Sequence, residues 1–257
     1  MKKKLVLVLV ALMLVTFVFA FASCGGNGET APTTTSPLDG DDALAAYEYL
    51  SDKMNALGGF EATMVEESSY DGETSSMEMN VKLSLTDGKK GSIAMEEGGT
   101  LLDLTYIDGT VYYLMKMSGM TMKYKSTDPS MTAAFDILFA IFEDEEEDIA
   151  SAEFVSRENG VYTLKVKATD EKALEKVTES YEDMGLDNPS FSDTSLTLTL
   201  ICTAEGYVSS MTQTMSYKLD GEAYSEKSTI TFKNVGTVPE ITAPADADTY
   251  MNMDDME

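Results

Sequence analysis

The stretch "MEMNVKLSL" alternates residue by residue: Met77, Met79, Val81, Leu83 and Leu85 fall on one side, and Glu78, Asn80, Lys82 and Ser84 on the other. A period of two belongs to a strand with one buried and one wet face, and an antiparallel sheet covered on one side accommodates it. Similar segments recur, separated by "DGKKG", "EGG", Asp108-Gly109, Ser118-Gly119, "ENG", "EG" and Asp220-Gly221, which are hairpin-turn signals. The pattern predicts about eleven strands, near 60–69, 77–86, 92–96, 101–107, 110–117, 121–126, 151–157, 161–168, 194–203, 207–219 and 224–235. Connections this short make the pairing antiparallel and meander-like.

Three segments break the alternation. "DDALAAYEYLSDKMNALGG" reads as an amphipathic helix with Leu44, Tyr47, Leu50, Met54 and Leu57 in one stripe, Asp41 or Asp42 as cap and Gly58 at its end. "DPSMTAAFDILFAIFEDEEED" reads as a helix apolar nearly all round, capped by Asp128 with Pro129 at its first position, so it must be covered. A third helix is expected from about Asp170 to Met184, amphipathic through Leu174, Val177 and Tyr181. The end of the chain, from "VGTVPEITAP" onward, reads as an extended strap and a frayed acidic tail.

The first residues have another grammar. Lys2, Lys3 and Lys4 precede an apolar run from Leu5 to Ala22 in which only Thr16 is polar. That is an export signal, although its length would also suit an uncleaved membrane anchor. Ala22 and Ser23 are small, as cleavage requires, and Cys24 follows at once. Phe-Ala-Ser-Cys resembles the lipobox of bacterial lipoproteins, with Phe21 where that family usually has Leu. The resemblance implies a thioether-linked diacylglycerol on Cys24, often with a third acyl chain such as palmitate on its amine. Two or three chains anchor firmly where one holds marginally. The Gly-, Thr-, Ser- and Pro-rich residues that follow can form no core and read as a flexible tether.

Losing the three leader lysines changes the net charge from −27 to −30. So acidic a body repels phosphate backbones, and nucleic acid is not an expected partner. With Cys24 acylated, only Cys202 remains, so no intramolecular disulfide forms. Cys202 continues the alternating series Leu196, Leu198, Leu200 and reads as a small buried apolar residue.

The chain contains no histidine, which removes Ser-His-Asp and Cys-His systems and the usual zinc sites together. It also lacks Gly-x-Ser-x-Gly, Ser-x-x-Lys, Gly-x-x-x-x-Gly-Lys and Cys-x-x-Cys. No catalytic residue, cofactor or metal site is expected, and the chain reads as a non-enzyme. A hydrolase using two of the 45 acidic side chains stands as a rival, because so many acids make any one pair uninformative. The acidic run 143–148 lacks the alternating ligands and turn glycine of a calcium loop and reads as a solvated helix end. Met115, Met117, Met120 and Met122 surround one hairpin, with Met77, Met79 and Met95 on earlier strands. Thioethers adapt to irregular apolar shapes, which suits a pocket for variable acyl chains as well as an ordinary core.

The order of these elements, with the phrases "YIDGTVYYLMK" and "ITFKNVGTVPEITAP", resembles the LolA/LolB-like lipoprotein-carrier half-barrels and the related LppX/LprG-type glycolipid-binding lipoproteins. The resemblance implies an α+β, mainly antiparallel fold: a curved half-barrel of about eleven strands with helices on its concave face. It implies leader 1–23, lipidated tether 24–40, ligand-binding domain 41–245 and acidic tail 246–257. It also implies a membrane-anchored, extracytoplasmic protein that binds acyl chains of a lipid or glycolipid. Inward positions then give the expected lining: Met79, Val81, Leu83, Leu102, Leu104, Tyr113, Met115, Met117, Leu138, Phe142, Leu198 and Leu200. A structural or interaction lipoprotein, with a filled core and a protein partner, is the alternative.

Overall fold

The computed structural model describes residues 36–70, 73–86, 88–128, 135, 149–183, 190–237 and 239–255. The leader, Cys24 and nearly all of the tether lie outside the described residues, as do the acidic run 143–148 and, apart from Phe135, the expected helix over 131–142.

Twelve strands are described: β1 (Gly59–Tyr70), β2 (Glu73–Ser84), β3 (Lys90–Glu97), β4 (Thr100–Ile107), β5 (Thr110–Met117), β6 (Met120–Ser126), β7 (Ile149–Glu158), β8 (Val161–Ala168), β9 (Phe191–Thr203), β10 (Val208–Leu219), β11 (Glu222–Lys233) and β12 (Met251–Asn252). The helices α1 (Ala43–Asn55) and α2 (Asp170–Asp183) accompany them. The strands hydrogen-bond in the order β12-β6-β5-β4-β3-β2-β1-β11-β10-β9-β8-β7. The fold is α+β and mainly antiparallel, as expected, with β12 as an addition that pairs parallel to β6 through Met251↔Tyr124 and Asn252↔Lys125. Asp108-Gly109, Ser118-Gly119, Asn159-Gly160 and Asp220-Gly221 all take positive φ at both positions, the backbone of the tight hairpin turns read from the sequence.

The chain divides into two compact units. The first comprises Met1–Ala56, Glu67–Ser75 and Ala140–Thr229. Here Asp42 caps α1, its Oδ1 accepting from the backbone N–H of Leu44 and Ala45 at 3.1 Å each. The helix buries Ala43, Ala46, Tyr47, Leu50, Ser51 and Met54 and packs on β7 and β8. Leu44, expected in the stripe, is 43 % exposed, because the first turn presents Ala43 inward instead. α2 packs on β9 through Ala173 and Val177, which leaves the expected Leu174 exposed. Ala173 and Val177, at i and i+4, share the inward face, and a leucine one position after the first then projects to the side. Thr169 caps α2 with its Oγ1, accepting from Lys172 N at 3.2 Å. The same unit holds the end of the tether. Leu38 is fully buried, Tyr162 Oη donates to Asp39 Oδ1 at 2.9 Å, and Arg157 donates to Gly40 O while its guanidinium lies 3.6 Å from the Phe154 ring centre.

The second unit comprises Leu57–Glu66, Ser76–Phe139 and Ile230–Glu257. It holds β3 to β6 with most of β2, and Phe60 meets Phe232 edge to face at 5.2 Å. Its C-terminal residues are not frayed over the described part. Ile241 and Tyr250 are buried, Tyr250 meets Tyr112 edge to face at 5.5 Å, and Lys123 pairs with Asp246. Polar anchoring explains why hydrophobic pattern alone read this segment as a tail.

Candidate functional site

Register decides which side chains of the second unit share a face. Met79 stands opposite Met95, Met95 opposite Leu102, Leu102 opposite Met115 and Met115 opposite Met122, so one rung crosses β2 to β6 with a single non-methionine. The next rung runs Val81, Ile93, Leu104, Tyr113, Tyr124, and the one after it Leu83, Gly91, Tyr106, Val111, Ser126. Residues directly opposite in an antiparallel pair point to the same side, and every second residue along a strand does too. All three rungs therefore form one face.

Burial is graded along it. On the Leu83 rung, Leu83, Gly91, Val111 and Ser126 are buried, and Phe135 sits there, itself fully buried. The Phe135 ring stacks on Tyr106 with centroids 5.5 Å apart. Gly91 is its seat: a Cβ there would stand 2.6 Å from Phe135 Cδ1. On the methionine rung only Met79 is buried, whereas Met95, Leu102, Met115 and Met122 are half-buried. Between them, the half-buried Tyr113 phenol is pushed up to about 12 by burial, the sign of an apolar setting that opposes a phenolate.

The opposite face of the same strands is occupied differently. Tyr112 meets Tyr250 there, and Lys123 lies 5.7 Å from the Tyr250 ring centre as well as pairing with Asp246. At the end of β6, Asp254 accepts from Thr127 N at 3.0 Å, from Thr127 Oγ1 at 2.8 Å and from Ser126 Oγ, the last belonging to the Leu83 rung and not to this opposite face. These bonds hold its carboxyl below the usual carboxylate range.

Of the expected lining residues, Met79, Val81, Leu83 and Leu104 are buried on the methionine-bearing face, and Leu102, Tyr113, Met115 and Met117 are half-buried on it. Leu198 and Leu200 are fully buried in the first unit, where they stand opposite Gln213 and Met211. Leu138 and Phe142 lie outside the described residues. Met95, Met122 and Tyr124 share the rungs but were absent from the expected lining. The Ser118-Gly119 turn carries the signal that would have found two of them, since a two-residue loop places 115 opposite 122 and 113 opposite 124.

The other reactive groups have structural surroundings. Cys202 is fully buried, donates to Tyr162 O at 3.6 Å, and burial pushes its thiol up to about 11. Burial also raises the Glu226 carboxyl, which accepts a 2.8 Å hydrogen bond from Tyr217 Oη. Among the described residues, no three His, Cys, Asp or Glu side chains are grouped to hold a metal, and no helix is long and apolar enough to cross a membrane.

No family model and no curated protein matches the chain. Among solved structures it is similar to LprF from Mycobacterium bovis, at 14 % identity over 80 % of this chain and 100 % of that one, with a TM-score of 0.42. It is also similar to a putative outer membrane lipoprotein-sorting protein domain from Vibrio parahaemolyticus, at 13 % identity over 77 % and 94 % of the two chains and a TM-score of 0.29. A third similarity is to a LolA superfamily protein from Nitrosomonas europaea, at 9 % identity over 79 % and 95 %, with a TM-score of 0.26.

Proposed function

We propose that the chain is an exported lipoprotein, anchored through acylated Cys24, whose second unit holds acyl chains of a lipid or glycolipid on the methionine-bearing face of β2 to β6. The observation that carries the reading is the burial gradient on that face. Phe135 seals the Leu83 rung, and the methionine rung beside it is apolar yet half-buried. Flexible thioethers on such a surface conform to chains of differing shape. Leu102, Tyr113, Met115 and Met117 make the contact surface, with Met79, Val81, Leu83 and Leu104 as its floor. The leader and the Phe-Ala-Ser-Cys motif support the anchor and the location outside the cytoplasm.

Burying about a dozen methylenes yields on the order of 10 kcal/mol at ~0.8 kcal/mol each, against an association cost of about 4–15 kcal/mol. Affinity should therefore depend on chain length. Titrating the full chain with a fluorescent fatty acid tests the face. Leu102→Trp, which fills the middle of the methionine rung, is expected to weaken binding at least tenfold. Lys82→Ala, on the opposite face where Lys82 pairs with Glu61 at 3.2 Å, is expected to leave it unchanged. Equal effects from both, or no binding by the parent chain, would favour an interaction protein with a filled core.

A further inference from the structure

The tip of the β5–β6 hairpin carries a second chemistry that acyl binding does not require. Met117 stands directly opposite Met120, and Met115 directly opposite Met122. Ser118 and Gly119, at φ 50° and 80°, close the tight turn between them. The two pairs are two residues apart along each strand, so all four side chains leave the same face. Their Cα atoms mark a rectangle of about 5.5 Å across the strands by about 6.8 Å along them. Each thioether swings on three rotatable bonds, enough to bring four sulfurs to a common point above the rectangle.

Their exposure distinguishes them from core methionines. Met120 is 58 % exposed, and Met115, Met117 and Met122 are half-buried, whereas Met54, Met64, Met211 and Met215 are buried. Leucine would serve equally in an apolar tip, and it offers no donor atom. A thioether is a soft ligand that selects Cu(I) among the metals a protein meets, and it needs no deprotonation to bind. The chain supplies no histidine to compete, its one described cysteine is fully buried, and a net charge of −27 draws cations to its surface.

We propose that Met115, Met117, Met120 and Met122 form a thioether site for one soft monovalent cation of the Cu(I) class. Binding is reversible coordination with no change of oxidation state, and its affinity is flat with pH across the range in which thiol and imidazole sites titrate. The site shares Met115 and Met117 with the proposed acyl surface, but it uses their sulfur lone pairs and its readout involves no lipid, so it stands or falls apart from acyl binding.

Silver(I), which shares this coordination chemistry and does not change oxidation state in buffer, is the probe. The full chain carries Cys24→Ser so that the Cys24 thiol cannot compete, and its methionines carry 13C-methyl labels. One silver ion per chain is expected, with the four hairpin methyl resonances shifting together and zinc shifting none. Met117→Leu with Met120→Leu, a volume-conserving change, should weaken silver binding at least tenfold, and Met211→Leu in the first unit should leave it as it was. Silver that shifts no hairpin methyl, a double variant that binds as tightly as its parent, or equal binding of zinc would overturn the proposal. Should the double variant fail to fold, the methyl shifts of the parent chain still decide.

Discussion

At Gly91 the absence of a side chain is what lets Phe135 lie flat on its rung. An alanine Cβ would stand 2.6 Å from Phe135 Cδ1, 2.7 Å from Cε1 and 3.2 Å from Leu83 Cδ2. Gly91→Ala is expected to cost about 1–3 kcal/mol as overpacking, seen as a lower urea midpoint at unchanged slope. Phe135→Leu in the same chain should return part of the loss, and an unchanged midpoint in Gly91→Ala would mean that Phe135 does not use this seat. Glu226 makes an opposite kind of demand. Burial raises its carboxyl above the ordinary value, and the hydrogen bond from Tyr217 lowers it by less. A carboxyl raised in the folded state holds its proton more tightly there. Stability is therefore greatest below its unfolded value of about 4.3 and declines as pH climbs through the folded one. Glu226→Gln keeps an acceptor for Tyr217 and removes the buried charge, so it should raise the Tm at pH 7.5 and make no difference at pH 4. A Tm gain of the same size at both pH values would refute the electrostatic cause.

The C-terminal strap is held by carboxylates as well as by the buried Ile241 and Tyr250. Asp254 gathers three donors from Ser126 and Thr127, and Asp246 takes Lys123. Asp254 is depressed in the folded state, so its contribution is present above about pH 3.9 and fades as pH falls through its lowered folded value. Asp254→Ala should mimic acid at neutral pH: amide exchange should quicken in 246–255 and in β6, while β8 and β9 keep their protection. Exchange unchanged in the strap would contradict the carboxylate clamp. Strand-scale features were the most legible in the sequence. The expected 110–117 and 161–168 coincide with β5 and β8, because period-two alternation starting from an Asx-Gly turn, Asp108-Gly109 for β5 and Asn159-Gly160 for β8, leaves little freedom of register. Helix faces were read less well, since Leu44 and Leu174 are exposed where alanines face the sheet. β12 was illegible: two residues carry no period, and the strap's anchors are polar.

For the molecule as a whole, the anchored reading joins a tether to a receptor surface. A random coil of the twelve steps from Cys24 to Ser36 would span about 20 Å. Leu38, Asp39 and Gly40 then fasten it to the first unit through Tyr162 and Arg157. The candidate face was half legible. Alternation gave Met79, Val81, Leu83, Leu102 and Leu104, but their shared rungs depend on pairing across strands, and the seat for Phe135 depends on a glycine that "DGKKG" presented only as a turn. Native mass spectrometry of the full chain, released from cell membranes in mild detergent, tests the central claim. The expected ion is a chain beginning at Cys24 with covalent acyl mass, carrying one further lipid that dissociates on collisional activation and is missing from Leu102→Trp. A chain that flies without any dissociable lipid, in parent and variant alike, would contradict acyl binding on the methionine face.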